Sequence, residues 1–199
     1  MSRSTEKTRR LVGLSLFTAL VIVLQLVASF LPTKPFAITL ALTPIVVGAA
    51  LFGPKAGAWL GGVFGVVVLL MCVFGVDAGG SILWNVSPIA TLALCIVKGA
   101  AAGWAAGLVY AALSKRNATL AVISAAVVSP MVNTGIFCVA MATIYHSTLV
   151  EWAGGAGANL VYYVFIGLIG VNFLVELAVN AALSPVVTRI IKIGKKGNA

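Results

Sequence analysis

Six apolar runs alternate along the chain with short breaks of polar, glycine or proline residues. Each run is long enough, at roughly 17–25 residues per span, to be a membrane-crossing helix. The predicted helices cover residues 11–31, 36–52, 56–76, 90–113, 118–144 and 159–191. The first run is too long for the h-region of a signal peptide, typically about 7–15 residues, so an uncleaved helix is predicted.

Two stretches between the runs are predicted to be irregular. Residues 81–96 are apolar but include Trp84, Asn85 and Pro88, a mixture that indicates an outer loop or re-entrant piece. Residues 146–158 are rich in glycine and are predicted to form a loop.

Composition supports the membrane interpretation. Of the 199 residues, 61% are apolar and 9% are charged, whereas soluble domains carry about 25% charged residues. This excludes an ordinary water-soluble fold, and the high hydrophobicity excludes disorder. We therefore predict an all-α membrane protein with six transmembrane helices, in which residues 1–199 form a single integral domain.

The net charge of +9 comes from basic residues at the ends of the apolar runs. This placement favours the lipid bilayer, and not nucleic acid, as the partner of the basic residues. Eleven of them fall on one predicted side: Arg3, Lys7, Arg9, Arg10, Lys55, Lys115, Arg116, Arg189, Lys192, Lys195 and Lys196. Lys34, Asp77 and Glu151 fall on the other. The positive-inside rule then places both termini in the cytoplasm of a multi-pass plasma-membrane protein.

Small residues recur every four positions on two predicted helices. One ladder is Gly53, Gly57, Gly61 and Gly65, and the other is Gly99, Gly103, Gly107 and Ala111. Such spacing lets helix backbones approach closely in lipid. Packing within the bundle is the favoured interpretation, and docking of a partner membrane protein is the alternative.

Two charges, Lys98 and Glu176, lie deep in apolar runs, where a charge costs roughly 2.5–3.5 kcal/mol and normally faces an interior or a wet cavity. Asn172 and Asn180 share a helix face with Glu176 because they are four residues away on either side. Asn133 lies in the middle of the fifth predicted helix, after Pro130.

These polar groups allow two interpretations. In one, a Lys98–Glu176 ion pair and the asparagines serve structure alone. In the other, they line a solute pocket open to the outside, where Lys98 binds a carboxylate or another acceptor and Asn133 and Asn172 bind polar ligand atoms. The aromatic side chains that could cover a ligand are Trp84, Trp152 and Tyr163, although they also fit an interfacial aromatic belt.

Catalytic and metal sites are not predicted. The single histidine, His146, is placed in or beside a loop, and Ser81 lacks the following glycine of an intramembrane serine protease. Cys72, Cys95 and Cys138 are scattered without disulfide or zinc spacing. There is no phosphate-binding loop, so no cofactor or ATP site is expected in this chain.

Several segments resemble the substrate-binding S components of energy-coupling factor (ECF) vitamin transporters. ITLALTPIVVGAALFGPKAGAWLGGVFG, from Ile38 to Gly65, resembles their second and third helices. VKGAAAGWAAGLVY, from Val97, resembles their fourth helix, with Lys98 at the position of its basic residue. Val132-Asn133-Thr134 resembles the fifth, and NFLVELAVNAALSP, from Asn172, resembles the sixth. The pattern is most similar to the branch that includes pantothenate and hydroxymethylpyrimidine binders.

The resemblance implies a six-helix, non-enzymatic subunit that binds one water-soluble vitamin near the outer face. It also implies a prokaryotic plasma-membrane complex with an EcfT-like transmembrane coupling protein and two cytoplasmic ATPases. In the family a small-xxx-small motif on the first helix contacts the coupling protein. Ser15 and Ala19 match this motif, with Ser15 in place of the usual alanine.

Three other classes stay open at this point. A stand-alone carrier or channel would use Glu176 and Lys98 as gating charges and would transport without ATPases. A membrane scaffold would bind no small molecule. An intramembrane enzyme would need His146 or Ser81.

Overall fold

The computed structural model describes residues 3–29, 39–157, 159–168, 173–174, 176–180 and 188–189. The regular elements in these ranges are helical: α1 (Arg3–Ser29), α2 (Leu42–Phe52), α3 (Pro54–Val73), α4 (Ala78–Val86), α5 (Pro88–Leu113), α6 (Ala118–Thr143), α7 (His146–Gly155) and α8 (Leu160–Tyr162). A π-helical turn, Tyr163–Leu168, follows α8. The predicted turn at residues 32–35 and the basic tail lie outside the described residues.

Among the described residues, four helices are long and apolar enough to cross a membrane: Lys7–Ser29 within α1, then α3, α5 and α6. The second predicted span is shorter than expected, because α2 begins at Leu42 and residues 39–41 are not helical. The sixth predicted span is described only in part. The prediction of an α-helical membrane protein is thus confirmed by the described segments.

The two predicted irregular stretches are corrected by the structure. Most of the first is helical, because Asp77 caps α4 and Pro88 occupies the first turn of α5 instead of interrupting a loop. The second forms α7, whose glycines, Gly154 and Gly155, lie at its end and do not prevent the helix. Pro130 also leaves α6 continuous.

The core of the bundle is the crossing of α3 and α5. Added Cβ atoms at Gly57, Gly61 and Gly65 would meet the backbone of Gly103, Gly99 and Cys95, respectively. Glycine is therefore required at these close approaches, since any side chain would collide with the facing carbonyl oxygen. The two predicted glycine ladders pack against each other, so the favoured interpretation of internal packing is confirmed.

The bundle has two distinct ends. At the basic end, Arg10 Nη2 donates a hydrogen bond to the Phe52 carbonyl oxygen (3.0 Å), and Gly107 packs against Pro54. The exposed cations of the helix ends also lie at this end of the bundle: Lys7, Arg9, Arg10, Lys55, Lys115 and Arg116. The distal end holds Thr39, Asp77, α4 and α7, and the candidate site lies toward this end.

Candidate functional site

Lys98 is the cation at the centre of the predicted site. It is half-buried, about 15 Å along α5 from Pro88 at 1.5 Å per residue. Its Nζ lies over the Phe137 ring of α6, 5.4 Å from the ring centroid, which is a cation–π distance. Its positive charge also acts on two carboxyl groups, those of Asp77 and Glu176. Lys98 therefore connects α5, α6 and the acidic groups around them.

Glu176 and Asn180 attach the sixth segment to the beginning of α2. The Thr39 backbone N–H donates a hydrogen bond to Glu176 Oε1 (3.1 Å), and Thr43 Oγ1 donates to Asn180 Oδ1 (2.7 Å). Both acceptor side chains are buried. Within the described residues Glu176 Oε2 has no hydrogen-bond partner and no direct ion pair joins Glu176 to Lys98. The interpretation in which Lys98 and Glu176 form an ion pair is thus not supported by their positions, since Glu176 bonds to Thr39 instead.

Asn133 is buried in the middle of α6, as expected for a residue that faces the bundle interior. Within the described ranges, its Oδ1 has no hydrogen-bond partner, and neither does Ser129 Oγ one turn earlier on the same helix. Pro130 lacks an N–H, which removes a backbone hydrogen bond at the same level of α6. This part of α6 therefore presents several acceptor oxygens to the interior.

The aromatic candidates divide between two clusters. Trp84 is half-buried and packs on a cluster that includes Leu42, Phe64 and Cys95. Trp152 and Tyr163 pack on another cluster, built around the fully buried Tyr145, to which Phe137 also belongs. Lys98 thus contacts the Trp152–Tyr163 cluster through Phe137, whereas Trp84 packs on the other cluster.

The remaining predicted residues are placed differently. Asn172 lies outside the described residues. Ser15 and Ala19 are exposed on α1, on a surface that no described helix covers. Asp77, which the sequence placed on the side opposite the basic residues, is buried and accepts a hydrogen bond from Gly80 N (3.3 Å).

Burial raises the pKa of Asp77 above its ordinary value of 3.8. The N–H groups of Gly80 and Gly79 and the charge of Lys98 oppose this shift without cancelling it. Burial likewise raises the pKa of the Tyr145 hydroxyl, which is 2.7 Å from Thr91 Oγ1. The Asp77 carboxyl group thus keeps its proton to a higher pH than a carboxyl group in water does.

A family model described as the substrate-specific component of ECF transporters matches residues 9–188. The chain belongs to this family. No curated protein matches the chain. Family membership makes the protein a multi-pass membrane component that serves in substrate binding and transport, and it does not favour a stand-alone carrier or an enzyme.

The local geometry of this ECF family member agrees with a binding role. Ser81, the hydroxyl considered for catalysis, donates to the carbonyl oxygens of Cys72 and Asp77, both at 2.8 Å, and so helps to join α3 to α4. His146 is exposed at the start of α7. In the described ranges no three His, Cys, Asp or Glu residues are grouped closely enough to hold a metal ion.

Sequence reasoning missed one buried polar residue of this S component entirely. Gln25 lies on α1 and is 2% exposed, and its Oε1 has no hydrogen-bond partner in the described part of the chain. A signal was present, since Gln25 is the only amide in an otherwise apolar run and shares a helix face with Val21 and Ala28. Thr39 and Thr43 were missed because they act through the α2 entry, whose position depends on the tertiary fold.

Proposed function

We propose that the chain is the high-affinity substrate-binding subunit of an ECF-type ABC importer for a water-soluble vitamin, with a pantothenate-like acid as the substrate. The observation that carries this proposal is Lys98, a half-buried cation on α5 that has an aromatic neighbour and no direct carboxylate partner among the described residues. An intramembrane charge of this kind is expected to serve function. A carboxylate ligand would complete its coordination.

The surrounding groups give the pocket its polar lining. Asn133 Oδ1 and Glu176 Oε2 are buried without a hydrogen-bond partner among the described residues, and we propose that both contact the ligand. Asn172 is proposed as a further contact from the sixth segment. Trp84 and Tyr163 would bound the ligand from the distal end, where their clusters pack. The proposed site would bind and enclose a small solute and would not catalyse a reaction of it.

Energy for uptake would come from partners. We propose that the chain works with a transmembrane coupling protein and two cytoplasmic ATPases, and that Ser15 and Ala19 on the exposed face of α1 form the docking motif. The cations of the basic end support a cytoplasmic position for that end. Six spans with both termini in the cytoplasm of a prokaryotic cell would satisfy this orientation.

The test of the binding function is native mass spectrometry of the detergent-purified chain, followed by isothermal titration with pantothenate. One retained vitamin per chain is expected. Lys98→Ala should weaken pantothenate binding by about 10- to 100-fold, because a charge-assisted contact is worth about 1.5–3 kcal/mol. Lys55→Ala, which removes an exposed lysine at the basic end, is the matched control and should bind normally.

Two results would contradict the proposal. If Lys98→Ala binds as tightly as the wild type, Lys98 is outside the site. If the protein takes up the solute in liposomes without coupling protein and ATPases, it acts as a stand-alone carrier.

A further inference from the structure

Gln25 is a buried amide in the apolar stretch of α1. It lies on one stripe of α1 between Val21 and Ala28, which are both 0% exposed, and is itself 2% exposed. Among the residues that the structure describes, its Oε1 has no hydrogen-bond partner. Because a buried polar atom without a partner destabilises the folded state, the position of this amide requires an explanation.

The surroundings of Gln25 place it at a junction of three elements. Ser29 Oγ, one turn later on α1, donates to the Gln25 carbonyl oxygen (2.8 Å) and contacts Met71 Sδ of α3 (2.7 Å). Val21, one turn earlier, packs in the same cluster as Leu42 at the start of α2. Gln25 is therefore enclosed between α1, α3 and the entry to α2, toward the distal end.

The entry to α2 also contacts Glu176. Thr39 donates to Glu176 Oε1, while Ala41 and Leu42, two and three residues later, pack with Val21. The short segment from Thr39 to Leu42 thus connects the surroundings of Gln25 to the Glu176 carboxyl. Among the described residues, Gln25 Oε1 and Glu176 Oε2 are both buried without a hydrogen-bond partner. The segment bonds to Glu176 through Thr39 and packs with Val21, one turn from Gln25.

An amide carbonyl oxygen can only accept a hydrogen bond. A group that satisfies Gln25 must consequently be a donor, such as a hydroxyl or an amide N–H. Lys98 has the opposite preference, because an ammonium group only donates. A solute that contacts both residues would therefore present different chemical groups to them.

We propose that Gln25 is a substrate-contacting residue whose Oε1 accepts a hydrogen bond from a hydroxyl or amide N–H of the solute. The substrate is then a solute with an anionic group for Lys98 and neutral donor groups for Gln25 and Glu176. This inference rests on the proposed function and assigns α1 a part in specificity, in addition to its proposed docking face.

The test compares the full chain with Gln25→Leu by isothermal titration with pantothenate and by thermal unfolding of ligand-free protein. Pantothenate is a suitable probe because it carries a carboxylate, hydroxyls and an amide N–H. Gln25→Leu should lower affinity at least tenfold and raise the unfolding temperature without ligand, because an unpartnered buried oxygen is removed. Thr18→Val is the matched control on α1, since its hydroxyl donates only to Leu14 O, and it should leave affinity unchanged.

The outcomes separate this inference from the function on which it rests. Unchanged pantothenate affinity in Gln25→Leu overturns the role of Gln25 and leaves the proposed function intact. A lower ligand-free unfolding temperature in both Gln25→Leu and Gln25→Met, or failure of both to fold, shows that the amide serves structure and also overturns it. If the wild type binds neither pantothenate nor thiamine, riboflavin, biotin, folate or nicotinate, the function and the inference fall together.

Discussion

At the scale of single residues, Asp77 shows how one carboxylate can hold two helices and also affect pH dependence. It caps α4 through Gly80 N, and its own backbone N–H donates to Met71 O near the end of α3 (3.3 Å). Because the side chain is buried beside Lys98, its ionised form is less well solvated than in the unfolded chain. The cap and the charge can be separated by mutation.

Asp77→Asn keeps the capping oxygen and removes the charge. The native state holds the Asp77 proton to a higher pH than the unfolded chain, so the free energy of unfolding of the wild type falls as pH rises above the ordinary carboxyl pKa of 3.8. We expect Asp77→Asn to become progressively more stable than the wild type as pH rises from 4 to 8. Thermal unfolding in detergent over this range measures the difference.

Asp77→Ala is the control, because it removes both the charge and the cap. The lost cap should lower the free energy of unfolding by about 1 kcal/mol relative to Asp77→Asn at each pH. A difference between Asp77→Asn and the wild type that does not change with pH would refute the proposed effect of burial.

The sequence predicted the interior position of Asn133 and Glu176 because both polar groups interrupt long apolar runs. It did not predict that Glu176 contacts Thr39 and not Lys98, because that contact joins residues 137 positions apart. Gln25 was missed because a single amide in an apolar helix has no pattern of its own. Partners of buried polar groups depend on helix placement, which hydropathy does not encode.

At the scale of helices, the close α3–α5 approach is specified by glycine spacing. Gly61 faces Gly99 O and Ala100 Cα, whereas its neighbour Gly62 has open space where a Cβ would be added. Gly61 is thus needed for the contact between α3 and α5, whereas Gly62 is not.

Gly61→Ala should lower the free energy of unfolding by about 1–3 kcal/mol, because the new methyl group collides with backbone that cannot move independently. Gly62→Ala should be neutral or stabilising by up to about 1 kcal/mol through its better helix propensity. Thermal unfolding of both variants in one detergent makes the comparison. Equal stability of the two would show that α3 and α5 are not in backbone contact at this point.

Helix existence was more predictable than helix extent. Long apolar runs predicted α3, α5 and α6 well, since length and hydropathy alone identify a membrane-crossing helix. The short helices α4 and α7 were mistaken for irregular structure, because the glycines within them and Pro88 after α4 are residues that also occur in loops. Capping by Asp77 favours the helix α4, and Pro88 is compatible with helix because it lies in the first turn of α5. Both effects depend on the position of the residue within its helix.

At the scale of the whole molecule, α1 is the least enclosed of the candidate spans. Only 17% of its most apolar window is buried, compared with 50% for α3. Ser15 and Ala19 lie on this exposed side, while Gln25 faces inward. One helix therefore presents a small-residue surface outward and a polar contact inward.

Ser15→Trp and Ala19→Trp should abolish assembly with the coupling protein and ATPases, because an indole prevents close approach of a partner helix. Pantothenate affinity of the isolated chain should stay unchanged. Co-purification of the complex and titration of the free subunit give the two readouts. Val27→Trp, on the same exposed side but nearer the distal end, is the control and should assemble normally.

Retained assembly in both Ser15→Trp and Ala19→Trp would place the docking face elsewhere on the molecule. Loss of assembly in Val27→Trp as well would indicate that the whole exposed length of α1 is covered by the partner.

The glycine contacts between α3 and α5 also limit how the chain can diverge. Positions 57, 61 and 65 can accept almost no other amino acid without separating the two helices, whereas lipid-facing positions such as Val66 and Val73 can exchange one apolar residue for another. The elements that bound the candidate site, α4, α7 and the entry to α2, lie beyond this contact. Descendants of such a chain could therefore acquire new ligands by changing those elements while inheriting the same central pair of helices.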